Sequence, residues 1–184
     1  MFDLDQFIAD IRATLPDRSR QGTREVVARA VADPAALLKV LGEPTRAGST
    51  VLHHAPDLTI LNIAWGPQQM TMPHDHRLWA VIGMYGGRED NMFWRRAAEA
   101  NTHQIEIAGG QALGRGDVAV LGRDIIHSVI NPVAQLSGAI HVYGGDFFAV
   151  ERSQWNCATL TEEPFDLKAA QQSFREANAR LGLP

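Results

Sequence analysis

The spacing of apolar positions changes character twice along the chain. Phe2, Leu4, Phe7, Ile8, Ile11 and Leu15 recur at helical intervals until Pro16 interrupts them, which predicts an amphipathic helix. A second helix is predicted over 23–32 with Thr23 as its N-cap. A third is predicted over 33–41, with Asp33 as cap, Pro34 at the first helical position and Gly42 just past the end. From about Ser49 the helical period is lost. Short apolar runs follow, separated by Gly, Pro, Asn and Asp: STVLHH, LTILNIAWG, MTMPHDH, AVIGMYGG, NMFWRRA, HQIEIAGGQAL, DVAVLG, HSVIN and SGAIHVYGG. Runs of this length and spacing predict an all-β sandwich or barrel, since the long helices that join parallel strands are absent. After Pro164 the helical period returns in DLKAAQQSFREANARL, from Asp166 to a stop at Gly182. The expected plan is one domain over 1–184: a helical segment over 1–48, a β core over 49–150 and a C-terminal helix over 165–182.

Composition narrows the partners rather than the fold. The 184 residues carry a formal net charge of −4, without the basic face that nucleic-acid binding needs. No run approaches the length of a membrane-spanning helix. The N-terminal MFDLDQFIADIRATL has acids among its apolar residues and no basic start, so it does not read as a signal peptide. Cys157 is the sole cysteine, which rules out an internal disulfide and fits a reducing compartment. A cytoplasmic location is expected, with neither nucleic acid nor membrane as partner. Cys157 itself reads as an inert thiol, Arg95 and Arg96 as a solvated face, and Gly86-Gly87 and Gly144-Gly145 as turns.

The histidines change the picture more. There are seven: His53, His54, His74, His76, His103, His127 and His141. In a strand, alternate residues share a face, so His74 and His76 point one way and Asp75 the other. Two imidazoles on one face suit a metal ion, which then needs a third ligand and an open position to do chemistry. The third candidate is His127, in GDVAVLGRDIIHSVIN. His53, His54 and His103 read more simply as polar strand ends, and Trp65, Trp79, Phe93 and Trp94 as packing residues.

These segments resemble the two motifs of the cupin superfamily. Gly66, His74, His76 and Gly86 or Gly87 match the first motif, except that its glutamate falls on Ala80 or Val81. Gly116, His127 and Asn131 match the second. The fold implied is a double-stranded β-helix, or jelly-roll barrel, with N-terminal helices and a C-terminal helix added. Within the superfamily, WGPQQMTMPHDH, GMYGGREDNMFW and SGAIHVYGG resemble thiol dioxygenases of the cysteine dioxygenase type, over residues 58–145. That resemblance implies Fe(II) held by His74, His76 and His127, and Tyr143 as a hydrogen-bond donor to the reacting oxygen with His141 orienting its hydroxyl. The substrates implied are O2 and a small thiol of the cysteine or mercapto-acid type, and the product a sulfinate.

The departures define what a structure must decide. The serine expected two residues before His141 is Ala139, and the cysteine that some members link to the tyrosine is replaced by Ala80 or Val81. The arginine expected to hold a substrate carboxylate is missing from STVLHHAP, so His53, His54 or Arg77 would have to serve, with Trp79 lining the pocket. Imidazole suits Fe, Zn, Cu and Ni alike. A Zn, Mn or Ni hydrolase or isomerase is therefore a second reading, and a non-catalytic binding protein a third. An arginine reaching the pocket favours the first, an enclosed polar pocket without one favours the second, and a filled pocket favours the third. The superfamily's habit of pairing through sheet edges allows a homodimer.

Overall fold

The computed structural model describes residues 1–98 and 104–183. Three helices open the chain: α1 (Leu4–Thr14), α2 (Gln21–Ala32) and α3 (Pro34–Leu41). Asp3 caps α1 by accepting from the Gln6 amide at 2.8 Å, and Asp33 caps α3 through the Ala36 amide at 3.1 Å. The expected cap of α2 is corrected. Its first amides are met from the preceding turn, where the Asp17 carboxylate accepts from Gly22 at 3.0 Å and the Ser19 hydroxyl from Gln21 at 3.2 Å. Thr23 lies inside the helix, fully buried, with its hydroxyl 2.8 Å from that of Thr14.

Eleven strands follow among the described residues: β1 (Gly48–Ala55), β2 (Leu58–Trp65), β3 (His74–Asp75), β4 (Ala80–Gly86), β5 (Arg88–Arg96), β6 (Ile105–Gly114), β7 (Val118–Leu121), β8 (Ile126–Ile130), β9 (Ser137–Tyr143), β10 (Ser153–Trp155) and β11 (Glu162–Pro164). Helix α4 (Leu167–Arg180) closes the chain, with Asp166 as its cap. Each predicted strand is present, although MTMPHDH contributes only its last turn of ladder, plus one bridge from Met70 to Ile130. β10 and β11 were not foreseen. His103 lies outside the described residues.

The strands form two antiparallel sheets, ordered β1-β2-β9-β4-β7 and β11-β10-β3-β8-β5-β6. Sequence-distant strands lie side by side in both, the arrangement of a double-stranded β-helix. The five-stranded sheet is covered on both faces. Outside, Leu58, Ile60, Val81, Ile140 and Val142 meet Phe7, Ile11, Val27 and Val31 of the helices. Inside, Leu61, Ile63, Ile82, Met84 and Ala139 face the other sheet. Double coverage explains why β2, β4 and β9 read as nearly unbroken apolar runs. Gly83 allows α2 to seat on β4, because a Cβ there would lie 2.4 Å from Val27. No helix among the described residues is long and apolar enough to cross a membrane.

Candidate metal centre

The three predicted ligands meet in one place. His74 and His127 are direct register partners across the β3–β8 pair, and His76 follows one pleat beyond. All three side chains are buried between the sheets, with their ligating atoms within 4.8 Å of one another. His74 Nε2 and His127 Nε2 each stand 3.2 Å from His76 Nε2. Ligand atoms about 2.1 Å from one metal ion lie about 3.0 Å apart at a right angle and about 3.4 Å apart at the tetrahedral angle. The two spacings to His76 fall between these.

The outer nitrogens show which atoms face the centre. His74 Nδ1 donates to the Met72 carbonyl at 2.9 Å, and His127 Nδ1 donates to Asn91 Oδ1 at 2.7 Å. Both imidazoles therefore turn Nε2 lone pairs inward. Burial, above all, lowers the pKa of each ligand: His74 to about 4, and His76 and His127 well below the ordinary histidine value. Neutral, buried, converging lone pairs repel one another unless a cation lies between them. The donor set and its spacing fit a metal ion, and His74, His76 and His127 would hold it.

A buried carboxylate underpins this arrangement. Glu89 lies on β5, where alternation turns Glu89 and Asn91 inward and leaves Arg88 and Met92 exposed. Burial raises the pKa of its carboxyl, but His141, Asn91 and Trp65 more than offset that and hold it below the usual carboxylate value. Trp65 Nε1 donates to it at 2.7 Å and Asn91 Nδ2 at 2.9 Å. An ionised carboxylate only accepts, so it fixes the Asn91 amide with its oxygen toward His127. That oxygen in turn requires a proton on His127 Nδ1. The relation of Glu89 to the ligands was not read from the sequence, although the inward alternation of GREDNMFW carried the signal.

His141 and Tyr143 lie on β9, on the wall opposite. Tyr143 stands edge-on to His76 with ring centroids 5.0 Å apart, and its hydroxyl is 3.1 Å from His141 Nδ1. His141 Nε2 is 3.6 Å from Glu89 Oε2, too long for a hydrogen bond, and has no hydrogen-bond partner among the described residues. Glu89 thus occupies the side of His141 away from the tyrosine. Burial raises the Tyr143 pKa, which keeps the phenol protonated as a donor.

These groups open onto a cavity of about 450 Å³ between the sheets and under α4. Of the predicted substrate contacts, His53, His54, Arg77 and Trp79, none lines it. His53 accepts from Arg12 of α1 at 3.1 Å on the helical side of β1. The Arg77 guanidinium is taken by Asp75 at 2.6 Å. Trp79 packs against Gly144 and lies 4.4 Å beneath Arg20. The cationic residue that does reach the cavity is Arg152, in the loop between β9 and β10. It lies 4.0 Å over the Phe147 ring and 4.3 Å over that of Phe165. No strand pattern carries Arg152; the only signal was an arginine closing the aromatic stretch DFFAVER.

No family model matches the chain. Solved structures with a similar fold include a protein with a double-stranded β-helix domain from Klebsiella pneumoniae, 14% identical over 64% of this chain and 87% of its own, with a TM-score of 0.47. KdgF from Halomonas sp. is 14% identical over 53% of this chain and 76% of its own, with a TM-score of 0.42. A cupin-family protein from Methanocaldococcus jannaschii is 8% identical over 57% of this chain and 87% of its own, with a TM-score of 0.44.

Proposed function

We propose that this protein is a metal-dependent enzyme, a non-haem Fe(II) dioxygenase that oxidises a thiol to a sulfinate. The observation that carries the reading is the convergence of three neutral imidazole lone pairs, all within 4.8 Å and two pairs of them 3.2 Å apart, on the wall of a cavity large enough for a substrate. A filled cavity would have favoured a non-catalytic protein. An arginine at the cavity, Arg152, favours the dioxygenase over the hydrolase or isomerase reading.

Ferrous iron held by His74, His76 and His127 would supply the redox site for the reaction of a thiol with O2, RSH + O2 giving RSO2H. Sulfur gives up the electrons that O2 gains, so no external reductant is needed. The chain's own residues supply the rest. Asn91 and the Met72 carbonyl hold two imidazoles in the ligating tautomer. Tyr143 presents a protonated hydroxyl beside His76, positioned by His141. The apolar walls exclude water, which strengthens every polar contact inside.

The test is metal content by elemental analysis of untagged protein, wild type and His76→Ala, followed by O2 uptake with thiols. Stoichiometric iron that is lost in the variant, with sulfinate formed as O2 is consumed, is the expected result. Zinc, manganese or nickel in place of iron would move the protein to the hydrolase or isomerase reading. Absence of metal from wild type would refute the centre altogether.

A further inference from the structure

The metal ligands occupy only one end of the cavity. Val129 lies one pleat beyond His127 on the same face of β8, and from there the cavity runs on under α4. The C-terminal segment spans it lengthwise. Phe165, just before α4, stands 5.9 Å from His74, and Phe174 stacks on Trp65 with centroids 5.5 Å apart. Ile63, Trp65, Met70, Val129, Ala170 and Phe174 line this second end.

The polar side chains beside it are already paired within the protein. Thr71 Oγ1 accepts from the Val129 amide at 2.9 Å. Ser173 Oγ donates to the Ala170 carbonyl at 2.8 Å and accepts from Gln69 at 3.1 Å. Gln154 donates to Glu163 at 2.8 Å and accepts from the Asp166 amide at 2.9 Å. Ser49 and Gln171, which also line the cavity, are exposed to water. A group entering under α4 therefore meets hydrocarbon and aromatic rings.

The rim gives a second, independent observation. Met70, Leu167 and Phe148 are more than half exposed, at 59, 53 and 51%, and all three line this one cavity. Scattered exposed apolar side chains are ordinary, but three on one cavity extend its apolar lining to the solvent. Size points the same way. A cavity of about 450 Å³ is large enough to enclose a drug-sized ligand, and a thiol of a few atoms at the histidines would leave the α4 end unfilled.

We infer that the space under α4 is a subsite for a large apolar group, alkyl or aryl, carried by the molecule whose reacting group lies at the histidines. Its hydrocarbon is buried between β2, β8 and α4, and its far end reaches Met70 and Leu167. Removal of that hydrocarbon from water supplies the affinity. The inference rests on the enzymatic reading of the same cavity and narrows the thiol to one bearing such a group.

The test is displacement of N-phenyl-1-naphthylamine, an uncharged fluorophore that brightens in apolar surroundings, from the full chain by butan-1-ol, hexan-1-ol and octan-1-ol. Each added methylene is expected to tighten binding about fourfold, as burial of a CH2 group does. Ala170→Trp fills the subsite from the helix side and should weaken octan-1-ol at least about tenfold, the loss of two or more buried methylenes. Ile107→Ser, on the exposed edge strand β6, should leave it unchanged. Met70→Ser combined with Leu167→Ser alters exposed side chains only, so it reads the subsite even where Ala170→Trp disturbs the helix. It should weaken octan-1-ol several-fold and spare butan-1-ol. Failure of the fluorophore to bind, affinity independent of chain length, or octan-1-ol binding undiminished in the rim variant would overturn the inference. An equal loss in Ile107→Ser would place the probes on the outer sheet and overturn it too. Repeating the series in EDTA separates the subsite from the metal reading. A steep series that survives chelation belongs to the subsite, whatever the metal analysis finds. A flat series in iron-loaded protein removes the subsite and leaves the metal centre standing.

Discussion

Glu89 never touches the three ligands, yet its charge sets the orientation of one of them. Its carboxylate accepts from Asn91, so Asn91 must turn its oxygen to His127. Glu89→Gln breaks that logic with the smallest change of shape, because a glutamine amide can accept on one side only. Either Trp65 Nε1 or Asn91 Nδ2 then loses its acceptor in a fully buried position. The expected cost is about 1–3 kcal/mol of stability, the usual penalty for a buried donor left unpaired. Metal affinity should fall by about 10- to 100-fold, as it does when the partner of a ligating histidine is lost. Urea denaturation and competition with a chelator measure the two effects. Unchanged metal affinity alongside lost stability would limit Glu89 to a packing role. The ligands themselves were legible in the sequence because period-two alternation places His74 and His76 on one face without any tertiary information. Glu89 was harder to read, because an acid in a strand normally marks the solvent face. Only the facing Trp65, on a distant strand, shows why this one is buried.

At the scale of elements, α4 makes the cavity a cavity. Its inner side stacks Phe174 on Trp65, ring centroids 5.5 Å apart and planes 12° from parallel. It reaches that position because Ala177 fits against Gly66, where an added Cβ would stand 2.5 Å away. The fastening is Asn178, whose side chain accepts from the Ala47 amide at 2.7 Å and donates to the Ala47 carbonyl at 3.0 Å. Replacing Asn178 with Ala leaves both buried backbone groups unpaired. The expected result is a loss of about 1–3 kcal/mol, with amide exchange accelerated in α4 and not in the two sheets. Uniform acceleration across the molecule would show that α4 is no separable roof. The helix was legible from its period and its Asp166 cap, but its place over the barrel mouth was not. Small residues such as Gly66 and Ala177 permit close approach without saying which surfaces meet. β10 and β11 were missed for a plainer reason, since three residues each is too short for alternation to register.

Across the whole molecule, those two short strands join the metal centre to the far end of the chain. β10 pairs with β3 through Gln154 and His74, and the Asp75 carboxylate accepts from the Ser153 amide at 2.9 Å. Arg152 is thereby held beside the ligands by the very strand that extends their sheet, a placement no local pattern reports. The outer side of this junction is ionic. Arg96 is exposed, as expected of a solvated face, and it also grips Glu162 with two bonds, at 2.6 and 3.0 Å, and lies 5.3 Å over Trp155. Arg77 adds a third contact to Glu162 at 3.6 Å. The hydrogen bond from Arg96 is the largest cause that lowers the Glu162 pKa to about 2. A carboxyl whose pKa falls on folding stabilises the native state at pH values above its unfolded value. That contribution is lost as pH drops through the folded value. Glu162 should therefore support the junction fully above about pH 4.5 and lose its effect between there and about pH 2. Acid also protonates the buried histidines, so wild type alone cannot isolate this term. The stability difference between wild type and Glu162→Gln isolates it, because the histidines are common to both. That difference, measured by urea denaturation across the acid range, should shrink toward zero as pH approaches 2. A difference independent of pH would mean that Glu162 acts through shape, and that its charge does not fasten the Arg152 segment to the sheet of the metal ligands.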